Sequence, residues 1–253
     1  MSTKEMFLSK AQQHRGIYLL PNLLTSASLF AAYYSIVASM TKHYETAVIA
    51  IFIGMIADLL DGRVARLTNT QSEFGAQFDS LSDMVTFGVA PSLLVYSWSL
   101  SQLGKIGWLI CFTYTAAVAL RLARFNAQHD EADIRYFSGI PCPASAGVVC
   151  GLIWFLISWG ISGSSHSVAI ILGLVVFSCA ALMVSNLCFY SFKDIDTKGK
   201  VPFAYIIIIC LVFVAVAAYP ALILFVAFSI YALSGIIYTL KHRKNLNDDE
   251  DQK

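Results

Sequence analysis

Apolar runs follow one another along most of the chain, separated by short polar or charged breaks. Each is about as long as a helix needs to be to cross a hydrocarbon layer. They predict eight spans, at about residues 22–40, 45–66, 75–99, 104–125, 144–161, 166–187, 202–218 and 220–240. Pro21 opens the first, at a turn where a missing N–H costs nothing. Gly139, Pro141 and Pro143 break the backbone ahead of the fifth, and Tyr219-Pro220 leaves room only for a tight hairpin between the last two. Before the first span, residues 1–20 mix Met6, Phe7, Leu8, Ile17, Tyr18, Leu19 and Leu20 with Lys4, Glu5, Lys10, His14 and Arg15. That mixture fits an amphipathic helix lying in the headgroup layer and lacks the uninterrupted core of a cleavable signal peptide. Residues 241–253, charged throughout, fit a solvated or disordered tail. The expected fold class is an all-α integral membrane protein, a polytopic bundle of about eight transmembrane helices with an N-terminal interfacial helix.

Composition agrees with that class. Hydrophobic residues make up 57% and charged residues 13% of the 253, and the mean hydropathy is +0.67, outside the range of ordinary soluble domains. The six cysteines include no CxxC or other metal spacing, and five sit in apolar runs, so they read as small packing residues. A net charge of +1 says little, but its distribution says more. Eight spans put both termini on one side with the loops after spans two, four and six. Fifteen of the seventeen lysines and arginines then fall on that side, leaving Lys42 and Lys105 opposite. Setting aside Arg66, Arg121 and Arg124 as functional candidates does not reverse the bias. The positive-inside rule therefore places both termini in the cytoplasm, and a cell inner membrane is the expected location.

Chemistry concentrates between residues 58 and 83. Asp58, Asp61, Asp79 and Asp83 lie in or beside apolar segments, where unpaired charge costs several kcal/mol. Spacings of three and four put each pair on one helix face, and the polar residues 67–74 can turn the chain so that the two helices face one another. Four converging carboxylates, with no His or Cys placed to join them, suit a hard divalent cation such as Mg²⁺ or Mn²⁺, and their charge would neutralise two. Gly62, Ala65 and Gly75 remove bulk beside the carboxylates, and Arg66 adds a bidentate phosphate donor, which together describe a pyrophosphate seat. Both termini and this candidate active site share the cytoplasmic side.

The run Asp58-x₂-Asp61-Gly62-x₂-Ala65-Arg66-x₈-Gly75-x₃-Asp79-x₃-Asp83 resembles, at all of its defined positions, the signature of the CDP-alcohol phosphatidyltransferase family. The resemblance implies an integral membrane enzyme in which a divalent cation holds the pyrophosphate of a CDP-linked lipid while an alcohol displaces CMP. It also implies a six-helix core over residues 21–200, with 201–240 an added hairpin, and a homodimer. Asn22 and Thr25 are simple caps on one reading; on the family's, they belong to a turn near the nucleotide. Ser72, with Gly62 and Arg66, matches positions that touch nucleotide or diphosphate.

Arg121-Leu122-Ala123-Arg124-Phe125-Asn126 followed by Gly139-Ile140-Pro141-Cys142-Pro143 is similar to the branch of the family that makes phosphatidylserine, as is Ser191-Phe192-Lys193. Arg121 and Arg124, three apart on one helix face, would meet the serine carboxylate or a lipid phosphate, and Lys193 would be a further substrate contact. Headgroup anchoring is the alternative for all three. The resemblance thus implies CDP-diacylglycerol and L-serine as substrates, with Asp58, Asp61, Asp79 and Asp83 about the metal and Asp83 accepting the serine hydroxyl proton. With no Ser-His or Cys-His pair in evidence, direct displacement is expected. Membrane lipids are the other partners, and nucleic acid is not expected among them. Glycerol 3-phosphate, inositol phosphate or choline would be acceptors in the same chemistry. A divalent-cation transporter is the rival from another class, but it needs acidic groups through the membrane depth rather than toward one side.

Overall fold

The computed structural model describes residues 19–68, 70, 72–127, 136–185, 187–190 and 203–250. The interfacial helix expected over 1–20 therefore lies outside the described residues except for Leu19 and Leu20, and so does Lys193. Two compact units divide the chain between Leu94 and Val95.

In the first unit, α1 (Leu19–Met40) and α2 (Tyr44–Leu67) form a helical hairpin. Pro21 lies near the beginning of the described part of α1, in keeping with the tolerance of a helix's first turn for proline. Its buried face runs Pro21, Thr25, Ser28, Ala32, Ser35, Ser39, in steps of four and three. On α2 the matching seam is Ala47, Ile51, Gly54 and Asp61, with half-buried Asp58 in phase between the last two. Small side chains on both helices let the backbones approach closely, the packing favoured where lipid supplies no hydrophobic drive between helices. Gly54 shows how close: a Cβ there would lie 3.1 Å from Thr86 Cγ2 and 3.4 Å from the Ser28 carbonyl oxygen. The hairpin turn closes with Lys42 in the left-handed region (φ 63°), His43 N–H reaching Ala38 O at 2.9 Å and Lys42 N–H reaching Ser39 O at 3.2 Å. These two bonds satisfy carbonyls that the end of α1 leaves open.

α3 (Glu73–Asp83) follows a short loop, then a π-helical turn (Met84–Val89) and α4 (Ala90–Trp98). The span expected over 75–99 is thus one run of helix whose hydrogen-bond pattern changes directly after Asp83. Thr86, Phe87 and Gly88 of the π turn are buried, and Thr86 Oγ1 lies 3.3 Å from Ser28 Oγ.

The second unit contains a 3₁₀ turn (Leu100–Leu103), α5 (Lys105–Ala127), α6 (Cys142–Ser158), α7 (His166–Val184), α8 (Phe203–Ala218) and α9 (Pro220–Glu250). α5 packs mainly on α7, and α6 on α9. Two differences from the expected layout occur here. A short antiparallel ribbon pairs β1 (Tyr136–Ser138) with β2 (Cys188–Tyr190), Phe137 opposite Phe189. The backbone of the charged tail also stays helical to Glu250, since nothing from Lys241 onward is a glycine or proline that would stop it. Cys111, Cys142, Cys150 and Cys179 are buried and reduced, as packing residues would be.

Among the described residues four helices are long and apolar enough to cross a membrane: Leu19–Met40, Lys105–Ala127, His166–Val184 and Pro220–Thr239. Large apolar side chains such as Phe30, Phe112 and Leu174 point outward from them, more than half exposed, as a lipid-facing surface requires. The chain is an all-α, polytopic integral membrane protein.

Candidate metal centre

The site grows out of the α1/α2 seam. Because the α2 seam advances in steps of three and four, its continuation past Gly54 brings Asp58 and then Asp61 onto the same face as Ala47 and Ile51. A face that is apolar for three turns ends in two acids. α3 supplies the others. Ser72 caps it, its Oγ accepting the Gly75 N–H at 3.0 Å, and Glu73 in the first turn suits the positive end of the helix dipole. Asp79 and Asp83 follow one turn apart.

Carboxylate oxygens of Asp58, Asp61 and Asp79 lie within 4.8 Å of one another. Asp83 joins through a hydrogen bond between its carboxyl group and that of Asp58. Asp61 is 4% exposed, and the other three are half-buried. Asp79 Oδ1 is buried with no hydrogen-bond partner among the described residues. At this range each ionised pair repels by about 3 kcal/mol at an effective dielectric of roughly 20. No cationic side chain pairs with Asp58, Asp61 or Asp79 among the described residues to offset that repulsion. An orphaned buried oxygen within an all-carboxylate cluster is the donor set of a hard divalent cation, and these residues fit one.

The surrounding residues take several roles. Thr25 is buried, and its hydroxyl donates to Asp61 Oδ2 at 2.7 Å while lying 3.1 Å from the Pro21 carbonyl. That bond fixes the orientation of a carboxylate. Ser82, buried on α3, donates to the Thr25 carbonyl at 3.2 Å and ties the two helices together at that level. Ser82 was not a candidate from the sequence, where a serine between acids carries no distinguishing signal.

Asn22 is half-buried, and its Oδ1 would lie 3.5 Å from a Cβ at Gly75, where Ser72 Oγ would lie 3.1 Å away. Gly75 therefore leaves room for the side chains of both Asn22 and Ser72. Around Gly62 a Cβ would meet nothing within 4 Å, so the space beside Asp61 is open. Ala65 is half-buried one turn along α2, its carbonyl accepting from the Thr70 N–H at 3.0 Å. Arg66 is exposed, and its Nε donates to the Gly62 carbonyl at 2.9 Å, which lays the guanidinium back along its own helix beside that open space.

Arg121 and Arg124 lie in the second unit, both half-buried, one turn apart near the end of α5. Arg121 Nη1 is 3.5 Å from Cys142 Sγ at the start of α6, and its Nε is buried without a hydrogen-bond partner among the described residues.

Residues 18–180 match the family model of the CDP-alcohol phosphatidyltransferases. Over 223 residues the chain is 39% identical to the CDP-diacylglycerol–serine O-phosphatidyltransferase of Helicobacter pylori strain J99, covering 87% of this chain and 91% of that one. It is 34% identical over 174 residues to the protein so described in Bacillus subtilis strain 168, covering 69% of this chain and 91% of that one. For Methanocaldococcus jannaschii the identity is 36% over 189 residues, covering 74% of this chain and 81% of its relative.

Proposed function

The chain belongs to the CDP-alcohol phosphatidyltransferase family, and we propose that it transfers the phosphatidyl group of CDP-diacylglycerol to the hydroxyl of L-serine, giving phosphatidylserine and CMP. The observation that carries the chemistry is the convergence of Asp58, Asp61 and Asp79 within 4.8 Å. The acceptor rests on relatives described as serine transferases that match over nine-tenths of their own length.

Asp58, Asp61 and Asp79 would hold the cation, Mg²⁺ or Mn²⁺, with Asp83 beside them. When bound, the cation supplies Lewis acidity that neutralises the pyrophosphate and eases the departure of CMP. Asn22, Gly62, Ala65, Arg66, Ser72 and Gly75 line the donor seat, with Gly62 leaving backbone bare for a phosphate and Arg66 able to swing from its own helix onto it. Thr25 acts through Asp61. Asp83 accepts the serine hydroxyl proton as that oxygen bonds to the β-phosphorus and the bond from phosphorus to the CMP oxygen breaks. No covalent enzyme intermediate forms. Arg121 and Arg124 receive the serine carboxylate or the lipid phosphate, with Lys193 as a further contact.

Residues 21–200 form the catalytic core in this reading, and 201–240 an added hairpin. The bias of lysine and arginine puts the termini and the site on the cytoplasmic side of a cell inner membrane, and the working form is a homodimer. The test is incorporation of radiolabelled serine by membranes containing the chain. Label should enter a chloroform-extractable phospholipid, dependent on added CDP-diacylglycerol and on Mg²⁺ or Mn²⁺. Incorporation from glycerol 3-phosphate with none from serine would assign another acceptor.

A further inference from the structure

Arg121 is poorly served by the residues around it. A guanidinium carries five N–H donors, and here one is offered to the Cys142 thiol, a weak acceptor, while Nε is buried with no hydrogen-bond partner among the described residues. A long, rotamer-rich side chain held so loosely would not present a fixed fork to a carboxylate. Another group must limit its motion.

The register of α9 on α6 identifies that group. A Cβ at Gly151 would lie 3.0 Å from Phe225 Cα, and one at Gly147 would lie 2.5 Å from the Phe228 ring. The two helices therefore run antiparallel, with rising numbers on α9 approaching the start of α6. One further turn brings Tyr231 and Ala232 to the level of Cys142–Ser145, where Arg121 reaches α6. Ala232 is 8% exposed and Tyr231 half-buried, so this edge of α9 faces inward, while Ile230, Leu233 and Ile237 face outward. Tyr231 lies within electrostatic reach of the Arg121 guanidinium. It is the phenol, whose oxygen can accept from an N–H, that α9 brings to this place.

α9 is otherwise peripheral: only 17% of its spanning window is buried. It also lies beyond residue 180, where the match to the family model ends. A helix outside the shared core that reaches an arginine proposed for the acceptor is placed to act on the acceptor rather than on the common donor chemistry.

We infer that Tyr231 is a positioning residue for serine, carried by the added helix α9, which sets the orientation of the Arg121 guanidinium toward the acceptor carboxylate. This rests on the reading of Arg121 as an acceptor contact.

The experiment uses the full-length chain in lipid–detergent micelles, with serine varied at saturating CDP-diacylglycerol. Tyr231→Phe should raise the serine KM about tenfold, the scale of the hydrogen bond to a charged group that the phenol would make to the guanidinium once serine is bound. kcat and the KM for CDP-diacylglycerol should stay within about twofold, since the donor side is untouched. Arg121→Lys should raise the serine KM further. The double variant should be no worse than Arg121→Lys alone, because the hydroxyl works through the guanidinium. Tyr238→Phe on the same helix controls for loss of a phenol, and a thermal melt of each variant checks its fold.

An unchanged serine KM in Arg121→Lys would defeat the reading of Arg121 itself, and the inference with it. If Arg121→Lys behaves as expected but Tyr231→Phe leaves the serine KM unchanged, the inference alone is overturned. The same holds if kcat and melting temperature fall together, since Tyr231 is then a packing residue.

Discussion

Asp79→Asn should lower phosphatidyl transfer roughly 10³-fold, the scale expected when the electrostatic stabilisation of a transition state is disrupted. Asp79 Oδ1 is buried and unpartnered among the described residues, and its neighbours Asp58 and Asp61 are themselves acids. An asparagine fills the same space but offers at most a neutral carbonyl oxygen. Its NH₂ group can instead donate to a neighbouring carboxylate, turning a repulsive contact into an attractive one. The variant should therefore melt no lower than the parent in metal-free buffer, and should lack the rise in melting temperature expected of the parent with Mn²⁺. Activity measured with a matched thermal melt checks both halves. Retention of more than a tenth of the parent rate would remove Asp79 from the catalytic machinery.

Asp83→Asn is expected to separate binding from turnover. Asp83 hydrogen-bonds to Asp58, and the close group of carboxylate oxygens comprises Asp58, Asp61 and Asp79. It also sits at the junction of α3 with the π turn, where a helix departs from its regular ladder, a feature frequent at functional sites. If Asp83 takes the serine proton, an amide there should cost about 10²–10⁴ in kcat while CDP-diacylglycerol and Mn²⁺ still bind. Single-turnover rates alongside equilibrium binding of labelled donor make the comparison. Loss of donor and metal binding together with turnover would recast Asp83 as a metal ligand.

The carboxylate centre was legible in the sequence because its geometry is mostly local. Asp58 with Asp61 and Asp79 with Asp83 share faces by helical spacing alone, and only one short turn stands between the pairs. Contacts made across the fold were not legible. Thr25 reads as a helix-start residue, and its bond to Asp61, thirty-six positions away, depends on how α1 and α2 pack. Ser82 and its bond to the Thr25 carbonyl depend on the same packing. The π turn leaves no mark on hydrophobic periodicity, since Met84–Val89 is as apolar as any helical run. The β1–β2 ribbon is three residues a strand, too short for alternation to register, and its pairing joins segments on either side of α6 and α7.

The four longest apolar helices announced themselves, but their ends did not. Pro21 and Pro143 mark boundaries in the sequence, yet each lies inside the first turn of its helix. Lys42 takes the left-handed turn that a glycine would have advertised. Arg121 was visible as a cation at a helix end, whereas its nearness to Tyr231 required the register of a helix more than a hundred residues later.

Asp58, Asp61 and Asp79 are proposed to form one divalent-cation site serving the CDP-linked donor. Electron paramagnetic resonance of Mn²⁺ titrated into the purified full-length chain, with and without CDP-diacylglycerol, tests it directly. Saturable Mn²⁺ binding is expected, tightened by the donor and weakened roughly a hundredfold or more by Asn at any one of the three. Equal Mn²⁺ affinity in the parent and in all three variants would contradict it.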